Sequence, residues 1–171
     1  FFLVGNCIGG NMTLSGLNPR SVQGDKAILQ ITRDFAESNA PFDIDAEQIP
    51  DLVPILTVLG TFGKGTSFIR NCARLRIKEC DRLAAISTEL NRLGAKVEIV
   101  GDMLKIEGVE QLNGGVCDSW NDHRIAMSLA IASQRCTDDL TITGANCVEK
   151  SYPDFFEDFG KLGGKFNVIT V

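Results

Sequence analysis

Residues 74–83 read Arg-Leu-Arg-Ile-Lys-Glu-Cys-Asp-Arg-Leu, with four cations (Arg74, Arg76, Lys78, Arg82) and two acids (Glu79, Asp81) in ten positions. Just upstream, residues 67–70 have β-like character; just downstream, Leu83, Ile86, Leu90 and Leu93 recur at helical spacing until Gly94 stops them. The charged segment is therefore a loop between a strand and a helix. Asp81 fits the N-cap or first turn, and the N–H groups behind it, with Lys and Arg around them, suit a small anion. A free acid in the same loop adds the means to move a proton. The plainer alternative is a solvated loop whose ion pairs contribute little.

Outward from this joint, two others of the same kind fall at residues 13–25 and 141–154. Residues 1–8 read as the tail of a buried helix stopped by Gly9-Gly10, and residues 12–17 alternate as a short strand. A helix is expected over 26–35, a strand over 42–44, and an almost wholly apolar helix over 52–62 with Pro54 in its first turn, where proline is tolerated. After the strand at 66–70 and the helix at 82–93, residues 96–100 and 103–107 bracket Gly101-Asp102 as a hairpin. Strands at 115–118, 140–143 and 165–171 and helices at 125–133 and 153–162 complete the reading. The chain thus repeats a unit of apolar helix, short strand, polar loop and amphipathic helix. The first unit is short, since nothing after Phe35 matches the cap and hairpin at 94–106.

Composition bounds the function. The chain has 171 residues, 44% hydrophobic and 23% charged, which is ordinary for a soluble globular protein. No apolar run approaches the roughly 20 residues of a membrane span, so a cytoplasmic protein without a membrane partner is expected. The formal net charge of −5 argues against nucleic acid, which needs a basic face, but leaves room for a small anion in a local basic pocket. Six cysteines stand singly beside one histidine, with no C-x-x-C pair, so neither a zinc site nor a disulfide framework is indicated. The sequence starts without Met inside an apolar segment and is read as a fragment.

Five motifs in order, Ser21-Val22-Gln23-Gly24-Asp25, Ile49-Pro50-Asp51, Arg76-Ile77-Lys78-Glu79-Cys80-Asp81-Arg82, Asn121-Asp122-His123-Arg124-Ile125-Ala126-Met127 and Lys150-Ser151-Tyr152-Pro153-Asp154-Phe155-Phe156, cover nearly the whole chain. On these residues it resembles the C-terminal domain of the 5-enolpyruvylshikimate-3-phosphate synthases. The resemblance implies an α/β (α+β) fold, an inside-out α/β barrel domain of the enolpyruvyl transferase type built of βαβαββ units, the first incomplete. It also implies a second, N-terminal domain, absent here, across a cleft. The reaction implied is transfer of the enolpyruvyl group from phosphoenolpyruvate to the 5-hydroxyl of shikimate 3-phosphate with release of phosphate, using no metal or organic cofactor.

Carried over by motif, Arg82 and Arg124 are similar to the pair that holds the phosphoenolpyruvate carboxylate, and Lys150 to the lysine at its phosphate. Lys78 and Asp51 match residues at shikimate 3-phosphate. Asp51 is implied to accept the hydroxyl proton and Glu79 to handle the proton at C3, with His123 beside the same ligand. Cys80 departs from the usual Ser or Thr. Taken singly, Asp51 reads as an N-cap, Lys150 as a surface partner of Glu149, and His123 and Arg124 as capping residues paired with Asp122. What sets those readings aside is that all fall at the same end of repeated strand-loop-helix units. The rival readings are a UDP-N-acetylglucosamine enolpyruvyl transferase-like domain, against which Lys78-Glu79-x-Asp81-Arg82 counts, and a non-catalytic anion-binding module.

Overall fold

The computed structural model describes residues 1–169. Its centre is helical. Helix α3 (Val53–Thr61, VPILTVLGT) carries no charge and is buried at every residue. Helix α5 (His123–Ala132) is buried everywhere except Arg124. A helix apolar all round can sit only inside a protein. The two therefore pack on each other, with α1 (Phe2–Cys7) and α4 (Arg82–Arg92) alongside. The hydroxyls that α3 takes into this core, Thr57 and Thr61, donate back to the carbonyls of Val53 and Thr57 at 2.8 and 2.9 Å, so neither is stranded. Helix α2 (Ala27–Ser38) lies against α1 and turns only Thr32 and Phe35 fully inward.

The sheets lie outside the helices. Strands β1 (Asp43–Asp45), β2 (Thr66–Arg70), β3 (Lys96–Val100) and β4 (Met103–Glu107) form one sheet in the order β1-β2-β4-β3. The β1-β2 pair is parallel and the other two pairs are antiparallel. Register places Ile44, Ile69, Leu104 and Ile99 in one cross-strand row, and Ile69 and Leu104 in that row are fully buried. The alternate residues, Phe68, Lys105 and Glu98, make a row of their own on the other face. A second, parallel pair joins β5 (Gly115–Asp118) to β6 (Leu140–Thr143), with α5 between them in sequence.

Read in order, β1-α3-β2-α4-β3-β4 is one complete βαβαββ unit, and β5-α5-β6 followed by α6 (Phe155–Lys161) begins another. The first unit supplies only α1 and α2. The strand expected at residues 12–17 does not form; that segment is irregular, with Gly16 left-handed at φ 80°, and largely exposed. Alternation makes a segment extended, but a strand also needs an edge to pair with. In the complete unit the hairpin lies against β2; the first unit has no hairpin between α2 and β1, and none of the described strands pairs with residues 12–17. The last expected strand fails likewise over 165–169, and its final two positions, Thr170 and Val171, lie outside the described residues.

Helix α6 is fixed by aromatic rings. Phe155, fully buried, stacks on Phe2 with centroids 5.4 Å apart and on Phe159 at 6.2 Å. This anchors the chain just beyond Lys150, whose 3-10 turn (Ala145–Lys150) packs on α5. Because α3 is the central strut, Leu56→Ala should destabilise the chain by about 2–5 kcal/mol. Ile77→Ala, at a position 85% exposed, should stay within about 0.5 kcal/mol of the parent. Urea unfolding followed by far-UV circular dichroism checks both.

Candidate active site

The N-terminal ends of α3, α4 and α5 are tied together by charge. Arg82 opens α4, is 1% exposed, and is the bulkiest of the fully buried side chains. An unpaired buried guanidinium would cost several kcal/mol. Every arm of Arg82 is accordingly taken. Its Nε donates to Asp122 Oδ2 at 2.6 Å, Nη1 to Asp51 Oδ1 at 2.9 Å, and Nη2 to Glu79 Oε2 at 2.7 Å and Asp122 Oδ1 at 3.4 Å. Burial opposes the charge, but the hydrogen bond to Asp122 and the fields of Asp122, Glu79 and Asp51 outweigh it and raise the guanidinium pKa.

Asp122 is wholly buried and does two things at once. Besides holding Arg82 it caps α5, accepting from the Arg124 backbone N–H at 2.8 Å. Asp51, in the 3-10 turn Pro50–Leu52 that leads into α3, is the second hub. Arg124 donates to its side chain through Nη2 and to its carbonyl through Nη1, each at 3.0 Å, and Lys78 Nζ lies 3.2 Å away. Burial pushes the Asp51 carboxyl up, yet Arg124, Lys78 and Arg82 together hold it below the ordinary carboxylate range.

The charged loop itself is a 3-10 turn (Ala73–Ile77) pinned by buried Leu75 and Cys72. Arg76 braces it, donating to Asp81 at 3.2 Å and to the Gly101 carbonyl of the hairpin at 2.8 Å. Asp81 caps α4 through the Ala84 N–H at 3.1 Å, as its position before the apolar stripe predicts. Cys80 points its Sγ at Asp122 Oδ2, 3.7 Å away; burial, then the Asp122 charge, pushes the thiol up to about 12. It is a proton-holding neighbour and not a nucleophile.

Of the residues expected at the site, the structure brings Asp51, Lys78, Glu79, Arg82 and Arg124 into one connected cluster. His123 follows Asp122 directly, is 9% exposed with its Nδ1 buried and unpartnered, and burial lowers its pKa. Lys150 joins through the next residue back: its Nζ donates to the Asn121 carbonyl at 2.9 Å and to Asn121 Oδ1 at 2.7 Å. Asp25 lies within the fields of Arg124, Asp51 and Lys78, and burial raises its carboxyl pKa. Among the described residues no group of three His, Cys, Asp or Glu side chains is arranged to hold a metal ion, and no helix is long and apolar enough to cross a membrane.

The sequence profile of the family described as EPSP synthase (3-phosphoshikimate 1-carboxyvinyltransferase) matches residues 1–159. The chain belongs to the EPSP synthase family. Curated relatives named 3-phosphoshikimate 1-carboxyvinyltransferase include those of Clostridium novyi, 49% identical over 178 residues, and Clostridium acetobutylicum, 50% identical over 176. Each alignment takes in 96% of this chain but 41% of the relative, so the chain spans about two-fifths of the length of the curated relatives it matches. The fold agrees with a solved EPSP synthase from Acinetobacter baumannii: TM-score 0.84, 23% identity, 99% of this chain and 46% of that one. It agrees also with the enolpyruvyl transferase NikO from Streptomyces tendae, at TM-score 0.61 and 24% identity, over 74% of this chain and 28% of that one. Inside-out α/β architecture is thus the fold of this EPSP synthase family chain.

Two site residues escaped the sequence reading in their actual roles. Asp122 reads only as the partner of capping His123 and Arg124, and nothing local signals that it is itself the cap or that its carboxylate faces Arg82 from 40 residues away. Asn121 opens the motif at 121–127 without a role of its own, and only the fold shows it under Lys150. Because Asp122 offsets a buried cation, Asp122→Ala should destabilise the chain by about 3–5 kcal/mol, measurable by urea unfolding at pH 7. Asp51 carries a pH signature. Its folded pKa lies below the unfolded one, so its stabilising contribution is present above about pH 4 and is lost as pH falls through the folded value. Between pH 5 and pH 2.5 the urea midpoint of the parent should therefore fall further than that of Asp51→Asn.

Proposed function

We propose that this chain forms one half of the cleft of a 3-phosphoshikimate 1-carboxyvinyltransferase, the other half coming from a further domain of the same cytoplasmic enzyme. The observation that carries the reading is the convergence of Lys78, Arg82 and Arg124 on Asp51 and Glu79 at the N-terminal ends of three helices. Helix N-termini and cations together favour anions, and both substrates, shikimate 3-phosphate and phosphoenolpyruvate, are anions. In this reading Arg82 and Arg124 hold the phosphoenolpyruvate carboxylate, since a guanidinium pairs two oxygens at once and stays charged. Lys150 meets the departing phosphate, Lys78 the shikimate 3-phosphate, and His123 lies beside the ligand.

The chemistry then needs two proton carriers. Asp51 takes the proton of the 5-hydroxyl as its oxygen bonds to C2 of phosphoenolpyruvate, while Glu79, having left Arg82 and taken up a proton from solvent, delivers that proton to C3. Glu79 next removes a proton from C3 as the C–O bond to phosphate breaks, the phosphate leaves with the proton that Asp51 took, and the enolpyruvyl ether remains. Neither step calls for a metal or organic cofactor. A substrate carboxylate arriving at Arg82 takes the guanidinium edge that Glu79 now occupies, and Glu79, whose side chain is 43% exposed, is free to move to the reacting carbon.

Titration of the chain with phosphoenolpyruvate and shikimate 3-phosphate, watched by NMR, should shift resonances at the Arg82, Arg124 and Lys150 loops, and no shift at millimolar ligand would remove the reading. The chain alone is expected to form no product, because it presents only its own side of the cleft. In the enzyme of full family length, Asp51→Asn and Glu79→Gln should each lower turnover by two or more orders of magnitude while leaving substrate affinity within a few-fold. Unchanged turnover would instead assign the cluster to binding alone.

A further inference from the structure

Helix α4 carries a second buried acid that the proposed chemistry does not use. Glu89, two turns beyond Arg82, is 1% exposed. Its Oε1 accepts the Trp120 indole N–H at 2.9 Å, and its Oε2 accepts the Asp118 backbone N–H at 3.1 Å and the Arg92 guanidinium at 2.9 Å. An ion pair with Arg92, one turn along the same helix, needs no burial. What burial provides is reach: it brings the carboxylate to the segment that leaves β5 and enters α5.

That segment has an unusual backbone. Trp120 and Asn121 are both left-handed, with φ of 52° and 53°, a region that residues other than glycine seldom adopt singly and rarely in succession. Side chains hold the pair from every side. The Trp120 N–H donates to the Asp118 carboxylate, and the Asn121 N–H to Ser119 Oγ at 3.2 Å. Lys150 covers both oxygens of Asn121, and the Asp122 N–H closes onto the Ser119 carbonyl at 3.0 Å. The next residues along are Asp122, His123 and Arg124. Helix α4 therefore grips this segment at two points: Arg82 holds Asp122, and Glu89 holds Asp118 and Trp120.

We propose that Glu89 and Trp120 form a positioning pair that fixes the left-handed turn before α5, so that Asn121, Asp122 and Arg124 stand ready for an anion. The part concerning the anion rests on the function proposed above; the part concerning the turn does not. Trp120 is the only tryptophan of the chain, so its emission reports the state of this turn directly.

The test compares Trp120→Phe, which keeps the ring and removes the N–H, with Glu89→Gln, which keeps the shape and removes the charge. In the ligand-free chain, 15N relaxation should show order parameters of residues 119–124 falling from about 0.85 to below about 0.6 in both variants, with α3 and the second half of α5 unchanged. The dissociation constant for phosphoenolpyruvate should rise at least tenfold, and in Glu89→Gln the tryptophan emission should shift to the red. A Trp120→Phe chain that folds and keeps residues 119–124 as ordered as the parent overturns the proposal. Should that variant not fold, Glu89→Gln decides in the same way, and loss of the whole fold in both assigns the pair a structural role and also overturns it. If the parent itself takes no phosphoenolpyruvate, the proposed function fails, and the order parameters still decide for or against the positioning pair.

Discussion

The buried pair Arg82–Asp122 is the contact on which the rest of the molecule depends. A guanidinium with almost no exposed surface and a carboxylate with none meet at 2.6 Å. Taking both out of water is costly, and replacing such a pair by packed apolar groups often improves stability. Its presence is better explained by what it joins. The two residues stand at the first turns of α4 and α5, and the third anion on Arg82, Asp51, stands at the start of α3. One cation thereby sets the relative position of three helices whose apolar sides, by themselves, would permit sliding.

The inside-out arrangement makes such a junction necessary. Since α3 and α5 are buried all round, sheets cannot occupy the middle, and the strands are displaced to the outside, where one face meets water. Apolar helix surfaces specify depth but not axial register. Their N-terminal ends, each with unsatisfied N–H groups and a positive partial charge, gather at one end of the helical layer. Acids are therefore required there on structural grounds alone, and Asp81 and Asp122 meet the requirement as caps. The proposed anion site is thus built upon a need of the fold, not added to it.

Most elements were legible because they declare themselves locally. The apolar run of α3, the stripe of α4, the hairpin turn at Gly101-Asp102 and the cap at Asp81 are all properties of ten residues or fewer. The motifs likewise gave the cluster's membership, since Asp51, Lys78, Glu79, Arg82 and Arg124 do meet. What stayed hidden was pairing. Residues 12–17 and 165–169 have the composition of strands and no edge to join, and no local feature shows whether an edge exists. Glu89 lies outside the apolar stripe of Leu83, Ile86, Leu90 and Leu93, and its burial depends on an indole 31 residues later in sequence. Side-chain partners at that separation follow from topology, which residue types alone do not specify.

Burial also separates acids that residue type leaves equivalent. Three carboxylates surround Arg82, and their side chains are 0%, 33% and 43% exposed for Asp122, Asp51 and Glu79. Asp122 cannot leave, because departure would strand a buried guanidinium and uncap α5. Glu79 can, because water replaces its contact at little cost. Asp51 lies between, held by three cations that keep it ionised and hence able to accept a proton. On the reading proposed above, an entering anion therefore displaces Glu79 first, Asp51 remains as the base, and Asp122 stays as the counter-charge throughout. On the proposed reading, the gradient of burial around one arginine assigns each of three like residues its role, and the overall acidity of the chain is no obstacle, since the carboxylate that must yield is the one the solvent already reaches.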